Sequence, residues 1–392
     1  MTTIGSLTTR LQRVPLTRPW AADVTSVGVV ATHVVRSDGS EGWGFSWSPQ
    51  IGAPAVQALL EHDIAPASVG RSAVPGEAWQ GLWEHLHEAG GGGLTTIALA
   101  GLDLALWDAE ARSAGTSVSH LLGRRRERVR GYGSGVNLHY PLDELLAQVQ
   151  RWIEAGFDAV KIKVGRPDLA EDVDRVAAVR ALLGPHRSLM IDANQRWDLE
   201  RATASVDALA RFDLAWIEEP LRADDLDGHT ELARRIDVPL ALGENLHTVH
   251  RFGDFLRAGA AQVVQPNIVR VGGITPFLRI AELAAAHGAA LHPHLLPELS
   301  GQVALALPDT AHEVLVEDVE DAGFGALGAL VDPAPVTISG GYLTENEHFG
   351  LGMRFAPLLT DDPTRTDRPH TGDPHTDDPH TDDPLTAGKA PS

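Results

Sequence analysis

Ionisable side chains recur at the ends of apolar runs in the middle of the chain. The run DAVKIKVG contains Lys161 and Lys163, and later runs end in Asp192, Glu218 and Glu244. Carboxylates brought together repel one another unless a cation lies between them, and an all-oxygen site with room for water suits Mg²⁺ or Mn²⁺. The two lysines are two positions apart, so in a strand they project from the same face. These residue types predict a divalent metal site with cationic side chains beside it.

Lys163 is the candidate base of this site. Neighbouring positive charge and partial burial both lower the pKa of a lysine, so we expect Lys163 to have a lowered pKa and to accept a proton near neutral pH. A lone Lys-x-Lys pattern more often marks a solvated strand edge. Its position one strand-plus-helix unit before the three carboxylates favours an active site instead.

The spacing of the polar residues indicates a barrel. Eight short apolar runs alternate with helical stretches from about residue 129 onward. One strand and one helix occupy about this spacing in a TIM barrel, whose strands all end at the same mouth. A single polar strand end would simply face water, but seven in phase favour one shared site. They lie 23 to 29 positions apart and are Lys163, Asp192, Glu218, Glu244, Asn267, His294 and Glu317.

Strand alternation separates two neighbours of the carboxylates. Asn194, two positions after Asp192, should share its face and contact ligand or metal. Glu219 directly follows Glu218 and should therefore point elsewhere.

The chain before the barrel predicts a small α+β domain. SVGVVATHVV and EGWGFSW are typical of strands, whereas AVQALLEHDIAP and TTIALAGLDLALWDAEARSAGTSVSHLLG are typical of helices. Strands followed by helices favour an α+β unit. The predicted divisions are an α+β domain at 1–125, a barrel at 126–325, a C-terminal segment returning to the first domain at 326–359, and a tail at 360–392.

The tail carries a five-residue repeat, TDRPH, TGDPH, TDDPH and TDDPL. Proline and aspartate at this density neither pair in a sheet nor bury apolar area, so we expect the tail to be disordered. Its histidines would at most bind a transition metal weakly.

Composition excludes several classes of function. The 53 acidic residues against 32 basic ones give a formal charge of -21, which repels nucleic acid and anionic membranes. The absence of cysteine excludes disulfides, thiolate metal sites and cysteine nucleophiles. The start has no apolar stretch long enough for a signal peptide, and no run approaches a membrane span. We expect a soluble cytoplasmic protein without nucleic-acid or membrane partners.

Taken together, the motifs resemble the enolase superfamily, in the mandelate racemase subgroup. The resemblance runs from ALAGLDLALWDAEARSAG through KIK, DAN, EEP, GEN and HPHLLPELS, and it covers nearly all of the chain before the tail. It implies a modified TIM barrel, (β/α)7β, with an N-terminal α+β capping domain. It also implies a homo-oligomer, one Mg²⁺ per site, and abstraction of the proton α to a carboxylate through an enediolate, with a lysine or histidine as the base.

The resemblance assigns roles within the site. Lys163 would be the base on one face of the substrate, and Lys161 would hold the substrate carboxylate. Glu317 would donate a hydrogen bond to the enolic oxygen, although Glu320 is an alternative for that position. The implied metal ligands are Asp192, Glu218 and Glu244.

The other face of the substrate differs from the usual pattern. His294 would be the second acid or base there, with His292 as its nearest competitor. The subgroup's histidine usually contacts an aspartate, whereas the matching residue here is Asn267. Asparagine can orient an imidazole but cannot stabilise an imidazolium by charge, so His294 should be a weaker base.

These features favour a Mg²⁺-dependent dehydratase of a sugar acid or a related 2,3-dihydroxy carboxylate, giving a 2-keto acid. Lys163 would take the α proton and His294 would deliver a proton to the departing β-hydroxyl. The alternatives are a racemase or epimerase of a 2-hydroxy or 2-amino carboxylate, and a non-catalytic ligand-binding barrel.

Two early loops, RVPLTRPWAADVTS and FSWSPQIG, would contact the far end of the substrate according to the resemblance. Arg18 is the candidate for gripping a second carboxylate or hydroxyls, and Trp20 for shaping the pocket. Ordinary surface or packing roles are the alternative for both residues.

Overall fold

The computed structural model describes residues 1–21, 23–308, 310 and 312–355. The predicted tail at 360–392 therefore lies outside the described residues. All described residues belong to one compact unit. No helix within the described ranges is long and apolar enough to cross a bilayer.

The chain begins with a three-stranded antiparallel sheet. Two of its strands coincide with the predicted runs, whereas the first strand was not predicted. The sheet order follows the chain: β1 Ile4–Pro15, β2 Ser26–Arg36 and β3 Glu41–Ser48.

Helices cover this sheet, and the longest lies directly on β3. Glycines make the close approach possible, because a Cβ at Gly42 would lie 2.0 Å from the carbonyl oxygen of Ala105, and one at Gly44 would lie 2.3 Å from that of Gly101. Sheet and helices together form the predicted α+β cap. The helices are α1 Ala53–Leu59, α2 Ala65–Ser68, α3 Pro75–His85, α4 Leu94–Ser113 and α5 Val118–Leu121.

The second part is a barrel of parallel strands. Each of its strands overlaps one of the eight apolar runs predicted from the sequence. The strands are β4 Arg128–Ser134, β5 Ala159–Lys163, β6 Ser188–Asp192, β7 Leu214–Glu218, β8 Leu240–Leu242, β9 Val263–Val264, β10 Ala290–Leu291 and β11 Leu315–Val319.

Seven helices alternate with these eight strands in the described part of the chain, which confirms the predicted (β/α)7β barrel. Asp168, Asp198 and Thr248 cap three of them by accepting hydrogen bonds from first-turn N–H groups. The helices are α6 Leu142–Glu154, α7 Leu169–Leu183, α8 Leu199–Leu209, α9 Leu226–Arg235, α10 Val249–Arg257, α11 Ile274–Ala286 and α12 Pro297–Ala306.

The strands pair in sequence order from β4 to β10, and β11 pairs with β4. The side chain of His292 links β10 to β11, because its Nδ1 accepts a hydrogen bond from the N–H of Leu315 at 3.1 Å. Its ring stacks on Trp216 with centroids 5.0 Å apart, and burial lowers the pKa of His292 to about 3. His292 is thus a neutral residue within the barrel wall.

The chain then returns to the cap after a short hairpin, β12 Val336–Ser339 and β13 Tyr342–Glu345. β13 pairs antiparallel with the start of β4. Further on, Leu351 donates its N–H to Asp108 of α4 at 2.6 Å. This hairpin was not predicted, and the divisions at residues 125, 325 and 359 stay predictions.

Candidate active site

Side chains from four barrel strands and three following loops meet at the carboxyl ends of the strands. Several of them are almost fully buried, where charges interact more strongly than in water. The predicted residues that the structure brings together are Lys161, Lys163, Asp192, Glu218, Glu244, Asn267, His294 and Glu317.

Lys161 lies at the centre of the carboxylates. Its Nζ is 2.7 Å from Glu218 Oε2, 2.7 Å from Glu317 Oε1 and 3.9 Å from Asp192 Oδ2, and the residue is 1% exposed. Burial alone would lower the pKa of Lys161, but Glu218 and Glu317 outweigh burial and hold this pKa well above its usual value. Lys161 is therefore a fixed positive charge.

Lys163 contacts Asp192 through its Nζ, and its backbone N–H donates to Asn137 Oδ1 at 2.9 Å. Burial lowers the pKa of Lys163, but the adjacent Asp192 carboxylate outweighs burial and raises it. The predicted lowering of this pKa is thus wrong for the structure described here. Sequence spacing revealed the second lysine but not the ion pair. A cation bound by Asp192 would compete with Lys163 for this carboxylate.

The carboxylates suit a hard divalent cation. Oε1 of Glu218 is buried without a hydrogen-bond partner, and burial raises the pKa of Glu218 to about 7. Glu218, Glu244 and His294 offer ligand atoms that all lie within 4.8 Å of one another, whereas Asp192 turns toward Lys163. A cluster rich in carboxylate oxygens, with one oxygen unpaired, fits Mg²⁺ or Mn²⁺.

Glu219 belongs to the same cluster, so the prediction that it points elsewhere is wrong. Its φ of 40° breaks the strand alternation on which that prediction rested. Nδ2 of Asn245 lies 2.9 and 2.8 Å from the two Glu219 carboxylate oxygens and 2.9 Å from Glu244 Oε1. Asn245 thereby positions Glu244. Sequence reasoning missed it, although it directly follows Glu244 in the GEN motif.

Asn194 supports Asp192. Its backbone N–H donates to Asp192 Oδ1 at 2.8 Å, and its Nδ2 lies 3.3 Å from Oδ2 of the same carboxylate. Asn194 also lines the cavity above the carboxylates. Its contact with ligand stays a prediction.

His294 faces the carboxylates through Nε2, which lies 2.5 Å from Glu244 Oε2 and 3.5 Å from Glu317 Oε2. Burial alone would lower the pKa of His294, but these two carboxylates outweigh burial and raise it. On the other side of the ring, Nδ1 lies 3.2 Å from Nδ2 of Asn267. The residue matching the usual aspartate thus does contact the histidine.

Glu317, rather than Glu320, reaches the cavity. Oε2 of Glu317 accepts a hydrogen bond from the N–H of Leu295 at 3.1 Å, whereas Glu320 pairs with Arg151 at 2.7 Å on the surface of the barrel. Burial would raise the pKa of Glu317, but Lys161 and His294 outweigh burial and lower it to about 2. The predicted donor role needs a protonated carboxyl, whereas these surroundings favour the ionised form.

One cavity opens above the cluster, between the barrel mouth and the cap. Arg270 lines it and was missed by sequence reasoning, because no strand-end position marks it. Its Nη1 donates to the carbonyl oxygen of Glu244 at 3.0 Å and also contacts Asn245. The polar lining comprises Ser134, Lys163, Asn194, Glu244, Arg270, His294 and Glu317.

The two cap residues predicted to contact substrate differ in position. Trp20 lines the cavity. Arg18 does not, because its guanidinium lies 3.5 Å from Glu144, 3.8 Å from Asp321 and 3.4 Å from the hydroxyl of Tyr140. Substrate contact by either residue stays a prediction.

Two family models match the chain. Residues 6–123 match the mandelate racemase / muconate lactonizing enzyme N-terminal domain, and residues 144–358 match the enolase C-terminal domain-like model. The first match spans the cap from β1 through α5, and the second begins within α6, so β4 lies between the two matches.

Characterised relatives include enzymes with two kinds of activity. The chain is 36% identical to a 3,6-anhydro-alpha-L-galactonate cycloisomerase of Streptomyces coelicolor, over 85% of this chain and 92% of the relative. It is 39% identical to an L-talarate/galactarate dehydratase of Salmonella typhimurium, over 73% of this chain and 72% of the relative.

A solved structure with the same fold is L-talarate dehydratase from Polaromonas sp. JS666, complexed with Mg and L-glucarate. It has a TM-score of 0.83 and 37% identity to this chain, and the match covers 91% of this chain and 96% of that one. Sequence and fold agree, and the chain belongs to the mandelate racemase and muconate lactonizing enzyme family of the enolase superfamily.

Proposed function

We propose that this protein is a Mg²⁺-dependent hydro-lyase that dehydrates a sugar acid, or a related 2,3-dihydroxy carboxylate, to a 2-keto acid. The observation that carries the proposal is the placement of Lys163 and His294 in one cavity. They come from β5 and from the loop after β10, with the carboxylates beside them. The Salmonella and Polaromonas dehydratases support the reaction class.

Asp192, Glu218 and Glu244 would hold the cation. Bound there, Mg²⁺ or Mn²⁺ supplies Lewis-acid stabilisation of the negative charge that grows on the substrate carboxylate. The unpaired Oε1 of Glu218 supports this assignment. His294 lies close enough to these oxygens to be a ligand, but we assign it to proton transfer because it lines the cavity together with Lys163.

Lys161 is almost fully buried and does not line the cavity, so we assign it to stabilising the substrate carboxylate through its fixed positive charge. Two carboxylates hold its Nζ in place, so little reorganisation is needed when substrate charge develops. We propose that Glu317 positions Lys161 and the N–H of Leu295, and that it does so as an ionised acceptor rather than as a donor.

In the proposed reaction, every proton that moves and every bond that breaks is accounted for. Lys163 must first lose its proton, which a cation bound at Asp192 would favour by competing for the carboxylate that holds the ammonium. As the neutral amine it then removes the α proton, and the electron pair moves toward the substrate carboxylate. The β carbon–oxygen bond then breaks, and His294, as the imidazolium that Glu244 and Glu317 favour, delivers its Nε2 proton to the departing hydroxyl, which leaves as water and returns the ring to its neutral form. The remaining enol takes up a proton at the β carbon and releases its hydroxyl proton, which gives the 2-keto acid.

The test is to incubate the protein with Mg²⁺ and a panel of sugar acids. The formation of 2-keto acid is measured by the absorbance of its semicarbazone. The proposal predicts product with at least one sugar acid, its loss after chelation, and its return with Mg²⁺. Absence of keto product across the panel would contradict it.

An isomerase is the second candidate, because the Streptomyces relative is a cycloisomerase. Such an enzyme would exchange or transfer the α proton without forming a keto acid. Racemisation with two bases is disfavoured by Asn267, which offers no negative charge to an imidazolium at Nδ1. A non-catalytic barrel would require Lys163 and His294 to be dispensable.

The partner we propose is a small-molecule carboxylate. A homo-oligomer, a cytoplasmic location and the absence of nucleic-acid and membrane partners stay predictions from composition and family resemblance.

A further inference from the structure

The cavity has two chemically different halves. The polar half contains the lysine, the histidine and the carboxylates described above. The apolar half is made by cap and barrel together, and its lining residues are Trp20, Trp47, Pro49, Val136, Leu295 and Val319. A ligand whose carboxylate lies at the polar half extends its other end into this apolar half.

Two tryptophans form the cap side of the apolar half. The rings of Trp20 and Trp47 meet edge to face, with centroids 6.2 Å apart. Trp47 is 4% exposed and belongs to β3, where it pairs with Val29. The N–H of Trp20 donates to the carbonyl oxygen of Val24 at 3.0 Å. The two tryptophans are therefore held in place by the sheet and by a turn.

Among the residues that the structure describes, the cationic side chains that line the cavity are those of Lys163, Arg270 and His294. Arg18, the predicted grip for a second carboxylate, is paired with Glu144 and Asp321. Arg270 lies on the polar side, where its Nη1 contacts the backbone of Glu244 and the side chain of Asn245. Ser134, two positions before Val136, also lines the cavity, and its side chain is polar but uncharged.

A carboxylate buried against apolar side chains without a cation is strongly disfavoured, whereas C–H groups and single hydroxyls are tolerated. We infer that the substrate is a monocarboxylate with an uncharged far end, an aldonate rather than an aldarate, whose C–H face packs on Trp20 and Trp47. This inference rests on the proposed function. L-glucarate, which the Polaromonas enzyme holds, carries two carboxylates.

The test compares acids that differ only at the far carbon. Galactonate and galactarate form one such pair, and gluconate and glucarate form another. With Mg²⁺ present, kcat/KM is measured from 2-keto acid formation, and Kd is measured by calorimetry on the same protein. We expect the aldonate of at least one pair to bind and react at least tenfold better than its aldarate.

A charge placed in the apolar half makes the test specific. Val136→Arg adds a cation, whereas Val136→Met adds comparable bulk without charge. The aldonate preference should fall at least tenfold in Val136→Arg and should persist in Val136→Met. Circular dichroism and Mg²⁺ binding verify that both variants are folded.

The outcomes separate this inference from the proposed function. Equal or better binding and turnover of the aldarates would overturn the monocarboxylate inference and leave the dehydratase proposal standing. If no acid yields keto product, the dehydratase proposal fails, but the Kd ratios still decide the substrate class. Failure to bind either member of both pairs would overturn the inference as well.

Discussion

Nδ2 of Asn267 donates a hydrogen bond to Nδ1 of His294 across 3.2 Å, and the backbone fixes that direction. Oδ1 of Asn267 accepts from the N–H groups of Val269 and Arg270, each at 3.1 Å. Flipping the amide would point its NH₂ group at these two donors, so the hydrogen-bond network assigns the orientation. In the neutral form of His294, Nδ1 is then the unprotonated nitrogen and the single ring proton lies on Nε2. This arrangement opposes the imidazolium that Glu244 and Glu317 favour.

Asn267→Asp should strengthen His294 as a base. A carboxylate would accept both from the backbone donors and from a protonated Nδ1, so it would raise the pKa of His294 further. We expect α-proton exchange in D₂O to rise about tenfold or more for the substrate epimer whose proton faces His294. Asn267→Ala is the control, because it removes the amide without adding charge. Equal exchange rates in the two variants would count against this account of Asn267.

Lys163→Ala should lower turnover by about 10²- to 10⁴-fold, the range typical of a lost general base. Lys163→Arg keeps a positive charge beside Asp192 but cannot lose its proton near neutral pH, so we expect the same loss. Mg²⁺ should bind more tightly to Lys163→Ala, because no ammonium competes for Asp192. Steady-state kinetics and calorimetry measure both effects. Full activity in Lys163→Arg would reduce the role of Lys163 to electrostatics.

Mg²⁺ affinity should depend on pH through Glu218. Burial raises the pKa of this carboxyl to about 7, so below that pH a proton must leave before the carboxylate binds a cation. The affinity should therefore fall about tenfold from pH 8 to pH 6. Asp318→Asn is the control, because it removes a different carboxyl whose pKa burial also raises to about 7. A flat affinity over this range would show that Glu218 is already ionised or does not bind the metal.

The strand-end residues could be predicted because a barrel imposes a repeat on the sequence. Each strand-plus-helix unit returns the chain to the same mouth, so spacing alone grouped Lys163, Asp192, Glu218 and Glu244. All eight predicted runs became strands of the barrel. The grouping did not require knowledge of any contact.

Other features depend on partners distant in sequence. β1 has apolar positions at Ile4 and Val14 but mostly exposed residues between them, and it is a strand because β2 pairs with it. β13 similarly needs β4. The position of Glu219 depends on a left-handed backbone conformation, and the pKa of Lys163 depends on contact with Asp192. Neither is encoded in local spacing.

Asp103 should stabilise the docking of cap on barrel. It lies in α4 and accepts from the N–H of Thr275 in α11 at 3.0 Å and from the hydroxyl of the same residue at 2.5 Å. Asp103→Ala leaves this buried N–H unpaired, so we expect a loss of about 1–3 kcal/mol in the free energy of unfolding. Asp103→Asn keeps an acceptor and should lose less. Urea unfolding measures both, and equal losses would contradict the role of the acceptor.

The most direct test of the central claim is proton NMR in D₂O with Mg²⁺ and the panel of sugar acids, following the signal of the α proton. If Lys163 and His294 act on one bound sugar acid, the α-proton signal should disappear and 2-keto acid resonances should appear. A persistent α-proton signal for every acid, with Mg²⁺ shown to be bound, would contradict proton abstraction. Loss of the signal without a keto product would instead identify an isomerase.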